Sequence, residues 1–409
     1  MQDTILTWDT TTPIPSPWWL LTALKIFGFT LHMMAMNLWL IGLPLALSLR
    51  RFGCDHGKRF GKRLGMQMPI VVALGVNFGI VPLLFFQLGY AKAFYSATIL
   101  MAWSWLSIVV LMIFAYYGVY LNAFRCREGD TPTPDLLDGD DLSDVKSERG
   151  TGEKIIVATY EKLRPIMRRW GGPIGSIMLI AVGTIFAAGM TLIESPGRWT
   201  EIWLGTSTHG AATGTFMPHG NPVVWARFLL MVGLAMLTTG AWTAIDAAWF
   251  KGDRPDSYQT WAGRMTRWLS VGGALIFWAV GAWYIFGLWT PEARAEILSG
   301  GSLIAILASA ALPLAVIILS FVGGDLVGKS RSWATGIYVA QFALIGSYAI
   351  SRQLLQNYNL TGVADIFGET NTQWSPLILF LLCFVFALAV VFWMLKIVVG
   401  SKPTVEEVG

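Results

Sequence analysis

The residues able to carry chemistry in this chain are few, and their types narrow what it can do. Of four histidines, only His32 lies inside an apolar run, in Phe27-Gly28-Phe29-Thr30-Leu31-His32-Met33-Met34-Ala35-Met36-Asn37. An ionisable ring at membrane depth is costly without a partner, so it marks a functional position by default. Imidazole is the common axial ligand of haem iron, and ligation uses the lone pair that would otherwise stand unsatisfied. The other reading is a neutral His32 bonded to a neighbouring Ser, Asn or backbone carbonyl, and the residue type leaves both open. A methionine thioether can complete an axial pair. Met36 shares a helix face with His32, so Met101, Met231 and Met236 on other runs are better placed, with ordinary packing as the alternative. Arg227 and Arg352 stand near the ends of two runs. There a guanidinium fork can clamp haem propionates or a quinone headgroup, or snorkel to lipid.

Other chemistries lack their residues. His56 sits in a basic loop, and His209 and His219 are ten residues apart without acidic neighbours, unlike a helical metal pair. Cys54, Cys126 and Cys383 are too scattered for a disulfide framework, a zinc site or an iron–sulfur cluster, and no CxxCH haem-attachment motif occurs. No Asp or Glu falls within 18–49, 65–90 or 97–121, so a carboxylate proton wire cannot run through those segments. Glu194 and Asp246 are the acidic groups set in the ends of apolar runs, Asp246 being placed to pair with a cation such as Lys251.

The elements that must position these residues are membrane helices. Of 409 residues, 55% are hydrophobic and 13% charged, about half the charged share of a soluble domain. Runs long enough to cross a bilayer, about 20 residues each, begin near Trp18, Gly65, Ala97, Gly171, Val223, Trp268, Ser302, Ser332 and Ser375, which makes nine spans. The loops after the odd-numbered spans hold 23 of the 29 Lys and Arg. By the positive-inside rule those loops and the C-terminus are cytoplasmic and the N-terminus is outside. The cations lie in short clusters between apolar runs, so nucleic-acid binding is not indicated. No basic n-region or small-residue cleavage site suggests a removable signal peptide.

The expected organisation is an outer segment 1–17, three helices in 18–124, a cytoplasmic linker 125–170, six helices in 171–397 and a tail 398–409. The linker, with its Thr-Pro-Thr-Pro run and Asp cluster, reads as a solvated connector leading into a helix. The outer loop 195–222 is rich in Gly, Thr and Trp and suits packing on a partner or capping a site. Trp199 and Trp203 are expected in the aromatic belt.

Three stretches resemble subunit I of the cytochrome bd quinol oxidases. The His32 segment with Asn37 and Leu40-Ile41-Gly42-Leu43 is similar to that subunit's first span, whose histidine ligates a high-spin haem. Gly75-Val76-Asn77-Phe78 and Phe86-Gln87-Leu88-Gly89 resemble elements of its second span, and Asn221-Pro222-Val223 with Arg227-Phe228 resembles the opening of its fifth. The resemblance covers mainly the first 250 residues. It implies an all-α, nine-helix bundle in a bacterial cytoplasmic membrane, with haem b on His32.

Departures limit what transfers. Leu230 stands where the family has the low-spin haem histidine, and Met101 where it has a third-span carboxylate. The long loop after the sixth span shrinks to about ten residues around Glu292 and Arg294. Val81–Phe85 and Tyr95–Met101 resemble instead a divergent bd-like branch that works with c-type cytochromes. The expectation is therefore one haem b on His32, with Met101, Arg227 and Arg352 as candidate cofactor contacts. Electrons would pass between membrane quinone and an outer-face c-type cytochrome, beside a possible second membrane subunit, without complete oxygen chemistry. The rival expectation is a haem-free scaffold of a respiratory complex.

Overall fold

The computed structural model describes residues 14–127, 151–250, 256–363 and 370–400; within 151–168 and parts of 387–400 it describes the backbone alone. Helices dominate because a backbone in lipid must satisfy its own hydrogen bonds. Eight are long and apolar enough to span a membrane. They are α1 Trp18–Phe52, α2 Asp55–Gly89, α4 Ala102–Cys126, α5 Arg169–Ile193, α7 Pro222–Trp249, α8 Asp256–Leu288, α10 Gly300–Val322 and α12 Arg331–Asn359. Short helices lie between them: α3 Ala91–Leu100, α6 Trp199–Thr206, α9 Pro291–Ile297 and α11 Leu326–Lys329. The ninth expected span is the 27-residue helix α13, Trp374–Gly400. The helix containing α5 begins at Thr151, inside the stretch read as a linker, and residues 128–150 lie outside the described set.

Neighbouring spans pack as hairpins, α1 with α2, α4 with α5, α7 with α8, and α10 with α12 across α11. Helix α7 touches α1, α5, α8 and α12 and forms the axis of the bundle. The apolar windows of α1 and α7 are 61% buried, against 17% in α4 and α10; the first pair carries the core and the second faces lipid. The α7–α8 contact is close enough that a Cβ added at Gly273 would stand 2.7 Å from the Gly233 carbonyl oxygen. Helix α1 changes to a π-helical turn at Leu38–Gly42, directly after Asn37, and α8 does so at Trp283–Leu288. Such turns widen the backbone spiral and recur at functional sites.

The third span, expected to run unbroken from about Ala97, is interrupted at Met101 (φ −117°, ψ 32°). The outer loop fills the break: Trp103 N donates to the Gly214 carbonyl at 3.1 Å and Phe216 N to that of Leu100 at 3.1 Å. Much of this loop therefore packs on the chain itself. Trp199 is buried, its indole donating to the Leu192 carbonyl at 2.8 Å. The aromatic-belt expectation fails for this residue because the short helix α6 turns its ring inward. His209 stands at a hairpin tip with φ 52°. Among the described residues, no group of three or more His, Cys, Asp or Glu is arranged to hold a metal ion.

Candidate functional site

His32 lies on the face of α1 that packs antiparallel against α2. Gly28 admits Pro82, whose Cδ would stand 3.0 Å from an added Cβ; a turn further in, Gly79 and Gly75 open a cleft for His32 and Trp39. A Cβ at Gly79 would approach His32 Nδ1 to 2.7 Å, and one at Gly75 would collide with the Trp39 ring. The Gly-Val-Asn-Phe-Gly stretch is thus a groove cut for two rings of the first span. Trp39 meets His32 edge to face, with centroids 6.0 Å apart.

His32 Nδ1 lies 2.7 Å from the Gly75 carbonyl oxygen. A carbonyl only accepts, so Nδ1 carries the proton and Nε2 keeps the lone pair. Among the described residues Nε2 has no hydrogen-bond partner. This is the arrangement of a ligating histidine, with one nitrogen anchored on a carbonyl and the other free to donate its pair. The alternative of a carbonyl-bonded histidine and that of a ligand are therefore compatible in one geometry.

Outward of His32 the bundle gathers charge. Arg352, at the outer end of α12, lays its guanidinium 4.8 Å from the Phe29 ring centroid and makes no hydrogen bond or ion pair among the described residues. Lys25 Nζ donates to Gln356 Oε1 at 2.9 Å and sits 4.5 Å from the ring centroids of Phe86 and Tyr90. It is near enough to Arg352 and Glu194 for their charges to act on it. The Tyr90 hydroxyl donates to Asn357 Oδ1 at 2.5 Å and accepts from Gln353 Nε2 at 2.7 Å. Lys25, Phe29 and His32 follow i, i+4, i+7 spacing and share one stripe of α1.

Arg227 is buried and paired: Nη2 bonds Glu194 Oε2, and Nε donates to the Tyr284 hydroxyl at 3.0 Å. Asn359 Nδ2 also reaches Glu194 Oε2, at 3.3 Å. This removes Arg227 from the lipid-anchor reading. The cluster is not closed, because Arg227 Nη1, Glu194 Oε1, Gln356 Nε2 and Trp289 Nε1 are buried without a hydrogen-bond partner. Lys25, Arg227 and Arg352 stand at this end with one carboxylate, Glu194, which leaves it rich in hydrogen-bond donors.

Met101 is fully buried, at the α3–α4 break, where its sulfur would stand 3.6 Å from a Cβ at Gly189. It belongs to the core cluster with Phe86, Phe94 and Ile193, apart from the cluster holding Met33, Met34 and Trp39. Leu230 is buried in the latter, so an apolar side chain fills the position of the resembling family's fifth-span ligand. Asp246 accepts from the Tyr258 hydroxyl at 2.6 Å and pairs with Arg63 at 3.1 Å; the expected partner Lys251 lies outside the described residues.

Lys25 was not singled out from the sequence, nor were Gln353, Gln356 and Asn357. Their spacing along one end of α12, beside Arg352, was the available signal. The Glu194–Arg227 pair could not be read, since its members sit on different spans.

No protein-family model matches the sequence, and no curated protein matches it. Among solved structures, the bd oxidase from Geobacillus thermodenitrificans superimposes with a TM-score of 0.58 at 13% identity, covering 96% of this chain and 100% of that one. The fold is bd-oxidase-like. At that identity the likeness concerns the backbone, and a bd-oxidase-like fold does not by itself bring the chemistry. The bd-like bundle agrees with an all-helical membrane protein of about nine helices.

His32 would offer a haem a free Nε2 on a fixed ring, and the donors at the outer end would suit a group that bears carboxylates. Met101 is packed in a different cluster and is not brought beside His32.

Proposed function

We propose that this chain is a bd-like membrane cytochrome subunit of a bacterial cytoplasmic membrane. It holds one haem b through His32 and relays electrons between membrane quinone and a c-type cytochrome on the outer face. The observation that carries the reading is His32 itself, anchored at Nδ1 on Gly75 and free at Nε2, beneath an outer cluster with unmet donors. When bound, the haem supplies reversible one-electron transfer. Gly75 fixes the tautomer and aims the ring, and the glycine groove holds it against rotation. Lys25 and Arg352 offset negative charge at the outer end, and the Arg227–Glu194 pair holds α5 to α7 beside them. Trp39 and the methionines around His32 exclude water from the inner side.

The test is a pyridine haemochrome assay on the purified chain and on His32→Ala, both expressed with ample haem. About one b haem per chain, absent in the variant, is the expected result. Equal haem in the two proteins would remove His32 from the account.

One observation favours a second reading. Leu230 fills the fifth-span ligand position with an apolar side chain, as expected of a scaffold that has lost cofactors. A wild-type chain without haem, co-purifying with haem-bearing subunits, would establish that reading in place of the first.

A further inference from the structure

The middle of the bundle holds a polar group that the proposed relay does not use. Asn37 on α1, Thr238 on α7 and Gln341 on α12 are all fully buried. The Thr238 hydroxyl donates to the Leu234 carbonyl at 2.9 Å and accepts from Asn37 Nδ2 at 2.9 Å and Gln341 Nε2 at 3.0 Å. Gln341 Nε2 also reaches the Leu234 carbonyl at 3.3 Å. That carbonyl can only accept, so the Gln341 amide cannot be turned over, and its oxygen must point away. Turning the Asn37 amide would exchange one unmatched atom for another. Both amide oxygens, Asn37 Oδ1 and Gln341 Oε1, are buried without a hydrogen-bond partner.

Two bare acceptors in a hydrocarbon setting are expensive. They call for a ligand that donates hydrogen bonds. A metal cation would meet two neutral oxygens and no carboxylate in this group, leaving its charge without an offset at membrane depth. A neutral donor has no such cost, and buried water commonly satisfies otherwise unpaired polar atoms in this way. Thr239, Thr243 and Asp246 follow i, i+4, i+7 spacing on α7 and are also buried. The π-helical turn directly after Asn37 loosens the backbone at the same level.

We infer that Asn37 and Gln341 form a water site in the middle of the bundle. It places exchangeable protons on the first span five residues beyond His32, in a region without carboxylates. The site stands on its own geometry and does not require haem.

The experiment uses the full chain in lipid nanodiscs. Infrared spectra in ordinary and oxygen-18 water should show a weakly bonded O–H stretch that shifts with the isotope and disappears in Gln341→Met. A cryo-electron-microscopy map that resolves ordered waters should show density within hydrogen-bonding distance of both amide oxygens. No isotope-sensitive band and no density at either oxygen in the wild type would overturn the proposal. So would a thallium anomalous peak at the site in crystals soaked with that ion, which would show a cation there. The wild-type isotope shift and map decide the question even if Gln341→Met fails to fold.

Discussion

The two ends of the bundle handle buried charge in opposite ways. At the cytoplasmic end Asp246 is bonded by Tyr258 and Arg63, and none of these three side chains has an unmatched buried atom. At the outer end Arg227 pairs with Glu194 while Arg352 makes no ion pair among the described residues, and four buried atoms there stand without partners. Folding alone explains the first arrangement, which ties α2, α7 and α8 together and closes on itself. The second is built with capacity to spare, and buried charge without compensation is retained where a ligand supplies the balance. Folding accounts for the closed cluster, and the open one is the region the proposed haem site uses.

The sharpest separation of the two uses His32 and Asp246. His32→Ala should abolish haem content while leaving the helical content seen by circular dichroism unchanged. Asp246→Asn should leave haem content intact and lower the unfolding midpoint in detergent, since weakening a charged bond in a buried network costs about 1–3 kcal/mol. If both variants lost haem in proportion to stability, the distinction between site and structure would collapse.

Breaking the Glu194–Arg227 pair tests whether part of the outer cluster is also structural. Arg227→Met should destabilise by about 3–5 kcal/mol by stranding a buried carboxylate, and Glu194→Leu together with Arg227→Met should recover most of that loss. Thermal unfolding of the three proteins reads the cycle. A smaller effect is expected from Gly79→Ala, whose Cβ would meet His32 Nδ1 at 2.7 Å. Overpacking of this kind costs about 1–3 kcal/mol and should move the haem absorption band by displacing the ligand ring. Gly336→Ala, with nothing within 4 Å of the added carbon, should change neither. The smallest effect belongs to Arg352→Lys, which keeps the charge but loses the planar fork. It should shift the haem midpoint potential measurably and leave stability within about 0.5 kcal/mol.

The helices able to cross a membrane were legible in the sequence because bilayer thickness acts on local composition. What was not legible depends on tertiary placement. The break at Met101 arises where a distant loop docks, and nothing in Tyr95–Met101 announces it. Trp199 carried an aromatic-belt composition but turns inward to bond Leu192. In the sequence Arg227 was a candidate clamp or lipid anchor, and its tie to Glu194 rests on how α5 and α7 meet. Lys25 is an isolated charge in the sequence, and only the packing of α12 brings Gln356 beside it. The amide pair of Asn37 and Gln341 was silent for the same reason, since each is an ordinary polar residue alone.

The central claim is that His32 Nε2 is the iron ligand, and chemical rescue tests it most directly. His32→Gly leaves a space the size of the ring above the Gly75–Gly79 groove. The account predicts that this variant binds no haem until imidazole is added, and that imidazole then restores a b-type reduced-minus-oxidised spectrum. Full haem binding by His32→Gly without imidazole would contradict it.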